Sequence, residues 1–247
     1  MGFFFTVFYQ PLYNLLVWLY DVSPVASIGI PIILVTVLVK GLLFPLSFKS
    51  LKSQRDMQEI QPKIRDIREK YKDDKEKMAT ELMEVYKEHK VNPFASCLPL
   101  LIQLPIFLAL FRALRDGLGQ VNPDFLYQFV SNPGPINTMF LGVDLAAVSI
   151  PLAILTAVAQ YFQMRQTVSR RPVKEVRNQE GARDEDTLAS MNKTMIYTVP
   201  LISLFAGITS LPGGVMLYWF VTTVLTYVLY AIFLPHNKNK TSTESAP

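Results

Sequence analysis

Cysteine occurs once, at Cys97, and histidine twice, at His89 and His236. One thiol excludes an internal disulfide, and two histidines argue against a zinc site, so no cofactor is expected. Lysine and arginine are absent before Lys40. The opening MGFFFTVFYQPLYNLLVWLYD therefore lacks the basic n-region of a secretory signal and is expected to stay in the mature protein. Gly2 and Thr6 fit the loose myristoylation pattern, but so short a pattern often matches by chance, and a multi-pass protein needs no lipid anchor. Charge is missing altogether from residues 22–39, 91–111, 145–164 and 194–237. A membrane span needs roughly 20 apolar residues, so three of these gaps suit one span each and the fourth suits two. What charge there is lies bunched: 19 of the 24 Lys and Arg fall between Lys49 and Lys90 or between Arg165 and Lys193. With 50% apolar residues against 18% charged, an ordinary soluble domain is excluded.

The predicted fold is an all-α integral membrane protein, a five-span helical core with a cytoplasmic helical hairpin and an N-terminal interfacial helix. The spans are expected at residues 28–46, 94–115, 147–165, 194–211 and 213–234. Leu211-Pro212-Gly213-Gly214 is turn chemistry and divides the last two. Residues 116–146 hold Asn132, Pro133, Gly134, Pro135, Asn137 and Gly142 and read as a loop. Residues 1–22, rich in Phe, Tyr and Trp around Pro11, suit the membrane interface. Loop charges set the orientation. Lys and Arg number 12 in residues 47–91, none in 117–147 and seven in 165–193. The positive-inside rule then puts the N-terminus outside and the tail, 235–247, in the cytoplasm. Arg112 and Arg115 cut mildly against this order.

Residues 49–90 carry 12 basic and 10 acidic side chains. Ile60, Ile64, Ile67 and Tyr71, then Met78, Leu82, Val85 and Tyr86, recur at helical spacing on either side of Lys72-Asp73-Asp74, which reads as a turn with an N-cap. The prediction is a two-helix hairpin with an apolar seam; composition alone favours a solvated linker over a docking platform.

Lys40 is the one charge well inside an apolar stretch. An ammonium at a span centre costs about 2.5 to 3.5 kcal/mol on insertion scales. A lysine can also snorkel to the headgroups along its stem. Other polar residues share the spans: Thr36 one turn deeper than Lys40, Gln103, Gln160, and Thr222, Thr223 and Thr226. Singly each suits an interhelical hydrogen bond. Together, with no carboxylate well inside any span, they predict a hydrated, positively charged cavity open to the cytoplasm. The same lack of Asp, Glu and His leaves an intramembrane enzyme without candidate residues.

The runs VLVKGLLFPLSFKS, MQEIQPKIRDIREKYKDDKEKMATELMEVYKEHKVNPFASCLPLLIQLPIFLALFRAL and LPGGVMLYWFVTT resemble the YidC/Oxa/Alb membrane protein insertases over residues 28–234. The resemblance implies a hydrophilic groove in which Lys40 takes the place of the family's usual Arg. It implies groove roles for Thr36, Gln103, Tyr218, Trp219 and Thr222, and for either Gln160 or Gln163. It implies that the hairpin, through Ile60, Pro62, Lys63, Tyr71, Met78, Leu82 and Tyr86, recruits a partner. The implied activity is insertion of nascent membrane proteins into the lipid bilayer of a bacterial plasma membrane, without hydrolysis or cofactor. The ribosome, the signal-recognition-particle pathway and the Sec translocon are implied as further partners, and no direct DNA binding is. Gram-negative members carry a large domain ahead of the core that these 247 residues do not contain. The tail HNKNKTSTESAP has only two lysines, so tail-mediated ribosome binding is not expected. The rival class is a small-solute or anion transporter with Lys40 as its binding-site cation. Such proteins usually carry internal repeats, which this sequence lacks.

Overall fold

The computed structural model describes residues 2–91, 98–117, 121–169 and 183–233. A π-helical turn, Phe5–Tyr9, runs directly into α1, Gln10–Asp21. Pro11 has no N–H for the ladder at that junction. Helix α2, Gly29–Leu42, and helix α3, Phe44–Lys70, meet at Leu43 with a bend of 58°. The stretch 28–46 is thus not one straight segment. Pro45 lies in the first turn of α3, where a missing N–H is tolerated, so it starts the second helix and does not close the first.

Helix α4, Lys75–Glu88, returns along α3 after the expected turn. Its N-cap is Asp74, which accepts a hydrogen bond from the Lys77 N–H at 3.0 Å. The seam is a small core of its own: Ile60, Ile64, Val85 and Val91, with Met57, Ile67, Leu82 and Tyr86 packed on it. Val91 joins because α4 ends in a Schellman turn. The Val91 N–H donates to Tyr86 O at 2.9 Å and the Lys90 N–H to Lys87 O at 3.1 Å, with Lys90 at φ +52°. A left-handed conformation suits glycine and costs other L residues about 1 to 2 kcal/mol. Lys90→Gly is therefore expected to stabilise the hairpin by about 1 kcal/mol, read as slower amide hydrogen exchange along α4.

Helices α5 (Leu98–Gly117), α6 (Ile150–Ser169), α7 (Arg183–Thr209) and α8 (Gly213–Phe233) follow. The first residues expected for the second span, the middle of the 166–193 loop and the tail lie outside the described residues. Helix α7 starts eleven residues ahead of its apolar part, and the Pro-Gly-Gly break separates it from α8 as the sequence predicts. Helix α6 packs along both α7 and α8, α2 lies against α8, and α1 lies against α2 and α5. Helix α5 meets α8 and α3 only lightly. The main core gathers Tyr13, Leu16 and Val17 of α1, Ile32 and Val35 of α2, Leu110 and Leu114 of α5, and Val215 of α8.

The loop after α5 is stitched to α1 through Asn14. Its Nδ2 donates to Phe125 O at 2.9 Å and its Oδ1 accepts from the Tyr127 N–H at 2.6 Å. Tyr13 and Tyr20 accept from the backbone N–H groups of Asn122 and Asn137. Strands β1, Met139–Phe140, and β2, Val143–Asp144, then form a hairpin over the start of α2. A Cβ on Gly29 would fall onto the Phe140 ring, so that position admits no side chain without moving the hairpin. The Thr138 hydroxyl and the Ala146 N–H hold the Asp144 carboxyl below the usual carboxylate range.

The helices expose apolar side chains on an unusual scale: Leu34 and Leu38 on α2, Ile154 and Phe162 on α6, Ile202 and Phe205 on α7, Val224 and Val228 on α8. Water disfavours such a belt, whereas hydrocarbon accepts it, since the helices satisfy their own backbone groups. Among the described residues, Gly213–Phe233 is by itself long and apolar enough to cross a bilayer. The bent pair Gly29–Leu42 and Phe44–Ser50 qualifies if taken as one span, and Thr194–Thr209 is a shorter apolar helix.

Candidate functional site

Helix α8 supplies one wall of a polar strip. Tyr218, Thr222 and Thr226 are four residues apart and share a face, covering about 12 Å along the axis. At one end Gln103 of α5 donates through Nε2 to the Tyr218 hydroxyl. At the other end Lys40 of α2 donates through Nζ to Thr226 Oγ1 at 3.3 Å, and Thr226 in turn donates to Thr222 O at 2.7 Å. The Thr222 hydroxyl is shielded from solvent on the same face. Three helices distant in sequence thus bring their polar groups to one strip. Lys40 ends on a hydroxyl, and among the described residues no carboxylate pairs with it, so its charge is solvated by dipoles.

Thr36, one turn deeper, is 1% exposed and gives its hydroxyl proton to Ile32 O at 2.6 Å. It lies on the Lys40 face of α2, but its donor is used within its own helix. Trp219 is half-buried and meets Phe107 edge-on at 5.6 Å, while Phe107 lies 6.3 Å from Tyr218. Phe107 was not singled out from the sequence. It stands four residues after Gln103, and that spacing on one helical face was the available signal. Thr226 was noted as a polar residue of its span but not as the partner of Lys40, since 186 residues separate the two.

The two third-span glutamines part company. Gln160 is 2% exposed and accepts from Ser203 Oγ of α7 at 2.6 Å, so it sits in the α6–α7 contact. Gln163 is half-buried and donates to Thr167 Oγ1 one turn on. Neither hydrogen-bonds with Lys40 or Gln103. Gln160 Nε2 is buried without a partner, and Ser203 keeps a second bond to Pro200 O at 3.0 Å. Replacing a half-satisfied amide by an apolar group of similar size is close to neutral. Gln160→Leu is therefore expected to shift the melting temperature in detergent by no more than a few degrees and to leave activity intact. A large loss of activity at unchanged stability would return Gln160 to the polar strip.

In the hairpin, Ile60 is buried, Leu82 and Tyr86 pack on it, and Met78 is half-buried. Tyr71 caps α3 and donates to Glu81 Oε1 at 3.3 Å. Pro62 and Lys63 are exposed, with Lys63 Nζ 2.9 Å from His89 Nε2 across the hairpin. Met83, absent from the sequence-based candidates, is exposed too. Seam and surface are therefore largely different residues, with Tyr71, Met78, Leu82 and Tyr86 half-buried between the two. Among the described residues no cluster of His, Cys, Asp or Glu could hold a metal ion.

A family model described as 60Kd inner membrane protein matches residues 18–240. A membrane protein insertase YidC of Pelobacter propionicus is 35% identical over 222 residues, which cover 90% of this chain and 37% of that protein. One of Fusobacterium nucleatum subsp. nucleatum is 31% identical over 204 residues, covering 83% of this chain and 84% of the relative. The chain thus spans little more than a third of the first relative and most of the second. A solved structure described as an active YidC insertase with the first transmembrane domain resolved matches with a TM-score of 0.57 at 27% identity. That match covers 93% of this chain and 46% of the other.

Proposed function

The chain belongs to the 60Kd inner membrane protein family of YidC insertases, and on that premise we propose that it inserts nascent membrane proteins into the bilayer by way of the Lys40–Thr226 and Gln103–Tyr218 strip. The observation that carries the proposal is Lys40, a cation among apolar helices that is hydrogen-bonded to a hydroxyl and, among the described residues, pairs with no carboxylate. The strip would take up a hydrophilic tail or short loop of the substrate, with Lys40 attracting its acidic residues. Polar groups would then cross only the remaining apolar thickness, which lowers the desolvation cost. The substrate's apolar segment would slide past α6 and α8 into lipid, and its partitioning drives release. Nothing is hydrolysed on this route and no cofactor takes part.

Tyr218, Trp219 and Thr222 belong to the proposed substrate path, buried Thr36 backs it one turn below Lys40, and Gln163 is the better of the two third-span candidates because Gln160 is engaged with Ser203. Five spans in a bacterial plasma membrane, with the hairpin and residues 166–193 inside and residues 116–146 outside, form the proposed topology. Nascent chains and lipid are the proposed partners, with ribosome, signal-recognition-particle pathway and Sec translocon upstream. The transporter alternative has no observation in its favour.

Crosslinking tests the path. Photoreactive groups at positions 103, 218 and 226 should capture a ribosome-bound nascent membrane protein, and one at the lipid-facing position 202 should capture it far less. Equal yields at all four would remove the path. For the topology, single cysteines in a Cys97→Ser background should react with an impermeant thiol reagent on intact cells at position 132 and not at position 75; the reverse pattern would invert the chain in the membrane.

A further inference from the structure

The β1–β2 hairpin closes on Leu141-Gly142, and both residues have positive φ, +50° and +80°. This turn matches the right-handed twist of the strands and ordinarily takes Asn, Asp or Gly at its first position, because a larger L side chain is strained there. Leu141 accepts the strain and gains no burial from it, being 88% exposed. Met139, two residues earlier, is 50% exposed, while Phe140 between them turns inward onto Gly29. The hairpin therefore has an anchored inner aromatic and an outer apolar tip.

Its position decides what can meet the tip. Phe140 sits over the first residue of α2. The Gly213 N–H at the start of α8 donates to Ala147 O at 2.8 Å, and α6 starts at Ile150. The hairpin thus stands where three apolar helices begin, and exposed apolar residues continue along α6 at Ile150, Ile154 and Val158. Residues 125–143 carry no charge, and the hairpin's one ion, exposed Asp144 across the ladder from Met139, stays at the headgroup level and limits entry to the Leu141 end.

We propose that the Met139 and Leu141 tip is a lipid wedge, seated at the headgroup and acyl boundary of the leaflet in which α2, α6 and α8 begin. The peptide groups of the turn need water or headgroups, which stops the tip from going deeper. The wedge would pin the start of α2, and so the depth of Lys40, to that leaflet. The proposal rests on the helices being bilayer-embedded, and the experiment separates the two.

The full chain with Cys97→Ser and one cysteine at 141, 132 or 158 would carry a nitroxide in phosphatidylcholine and phosphatidylglycerol vesicles, with oxygen and a water-soluble nickel chelate as relaxants. Position 158 should favour oxygen strongly and 132 the chelate, with 141 favouring oxygen less steeply than 158. Chelate access at 141 matching that at 132 would overturn the wedge, and so would low access to both relaxants, which signals a protein partner or a second copy. A water-like position 158 would instead overturn the embedding itself. A label at 139 guards against a depth set by the nitroxide at 141. With Leu141→Gly its chelate access should rise about threefold, and no change would remove Leu141 from the wedge.

Discussion

Lys40→Glu is expected to lower insertion of a substrate with one acidic residue in its translocated tail by about thirtyfold, and Lys40→Met by about fivefold. Two unit charges roughly 8 Å apart in a wet groove interact by on the order of 1 kcal/mol, which is about fivefold, and reversal of the sign doubles the difference. The effect should grow with the number of tail carboxylates and vanish for a neutral tail. Lys40→Arg should retain insertion, since it keeps the charge and can still reach Thr226. The bond to Thr226 Oγ1 argues against a lysine that merely snorkels to the headgroups, because a snorkelling side chain would leave that hydroxyl. Snorkelling predicts the opposite result: Lys40→Met would be neutral or stabilising, since only a cost is removed. Reconstituted insertion of one substrate with zero, one or two acidic tail residues, at equal protein level, separates the readings. Equal insertion by wild type and Lys40→Met for every tail would leave the strip a role through hydration alone.

Replacement of residues 52–86 by a flexible linker should cost most of the insertion activity, fivefold or more, while the protein still integrates and melts within a few degrees of wild type. The reason lies in the packing. The seam of Ile60, Ile64, Val85 and Val91 is a separate cluster that shares no residue with the main core. Removing it takes no buried residue from the core of α1, α2, α5 and α8, and α5 meets α3 only lightly. The 12 basic and 10 acidic residues of 49–90 leave little net charge to hold lipid, and recruitment is the role we propose for this structured insertion. Substitutions at exposed Pro62, Lys63 and Met83 should reproduce the loss without unfolding the hairpin, whereas Ile60→Ala should act through hairpin stability. Full insertion by the linker variant would reduce the segment to a connector.

Much of this protein was legible because its signals are short in range. Uncharged stretches mark the apolar helices, Asp74 marks the start of α4, and Pro212-Gly213-Gly214 marks the break before α8; each depends on neighbours a few residues away. Sequence alone also identified Lys40, since a cation in an apolar run is visible without coordinates, and the motif series was enough for the family. The tertiary structure decided which groups meet. It put Thr226 under Lys40, the Gln103 amide on Tyr218, Gln160 against Ser203 and Asn14 beneath the loop after α5. It also bent the first apolar stretch at Leu43 and gave the N-terminal helix a buried aromatic face. Spacing along one helix says which residues share a face. The direction that face takes depends on how the helix is rotated and tilted against its neighbours, and that is a balance of many weak contacts among residues 43 to 186 positions apart in the cases above.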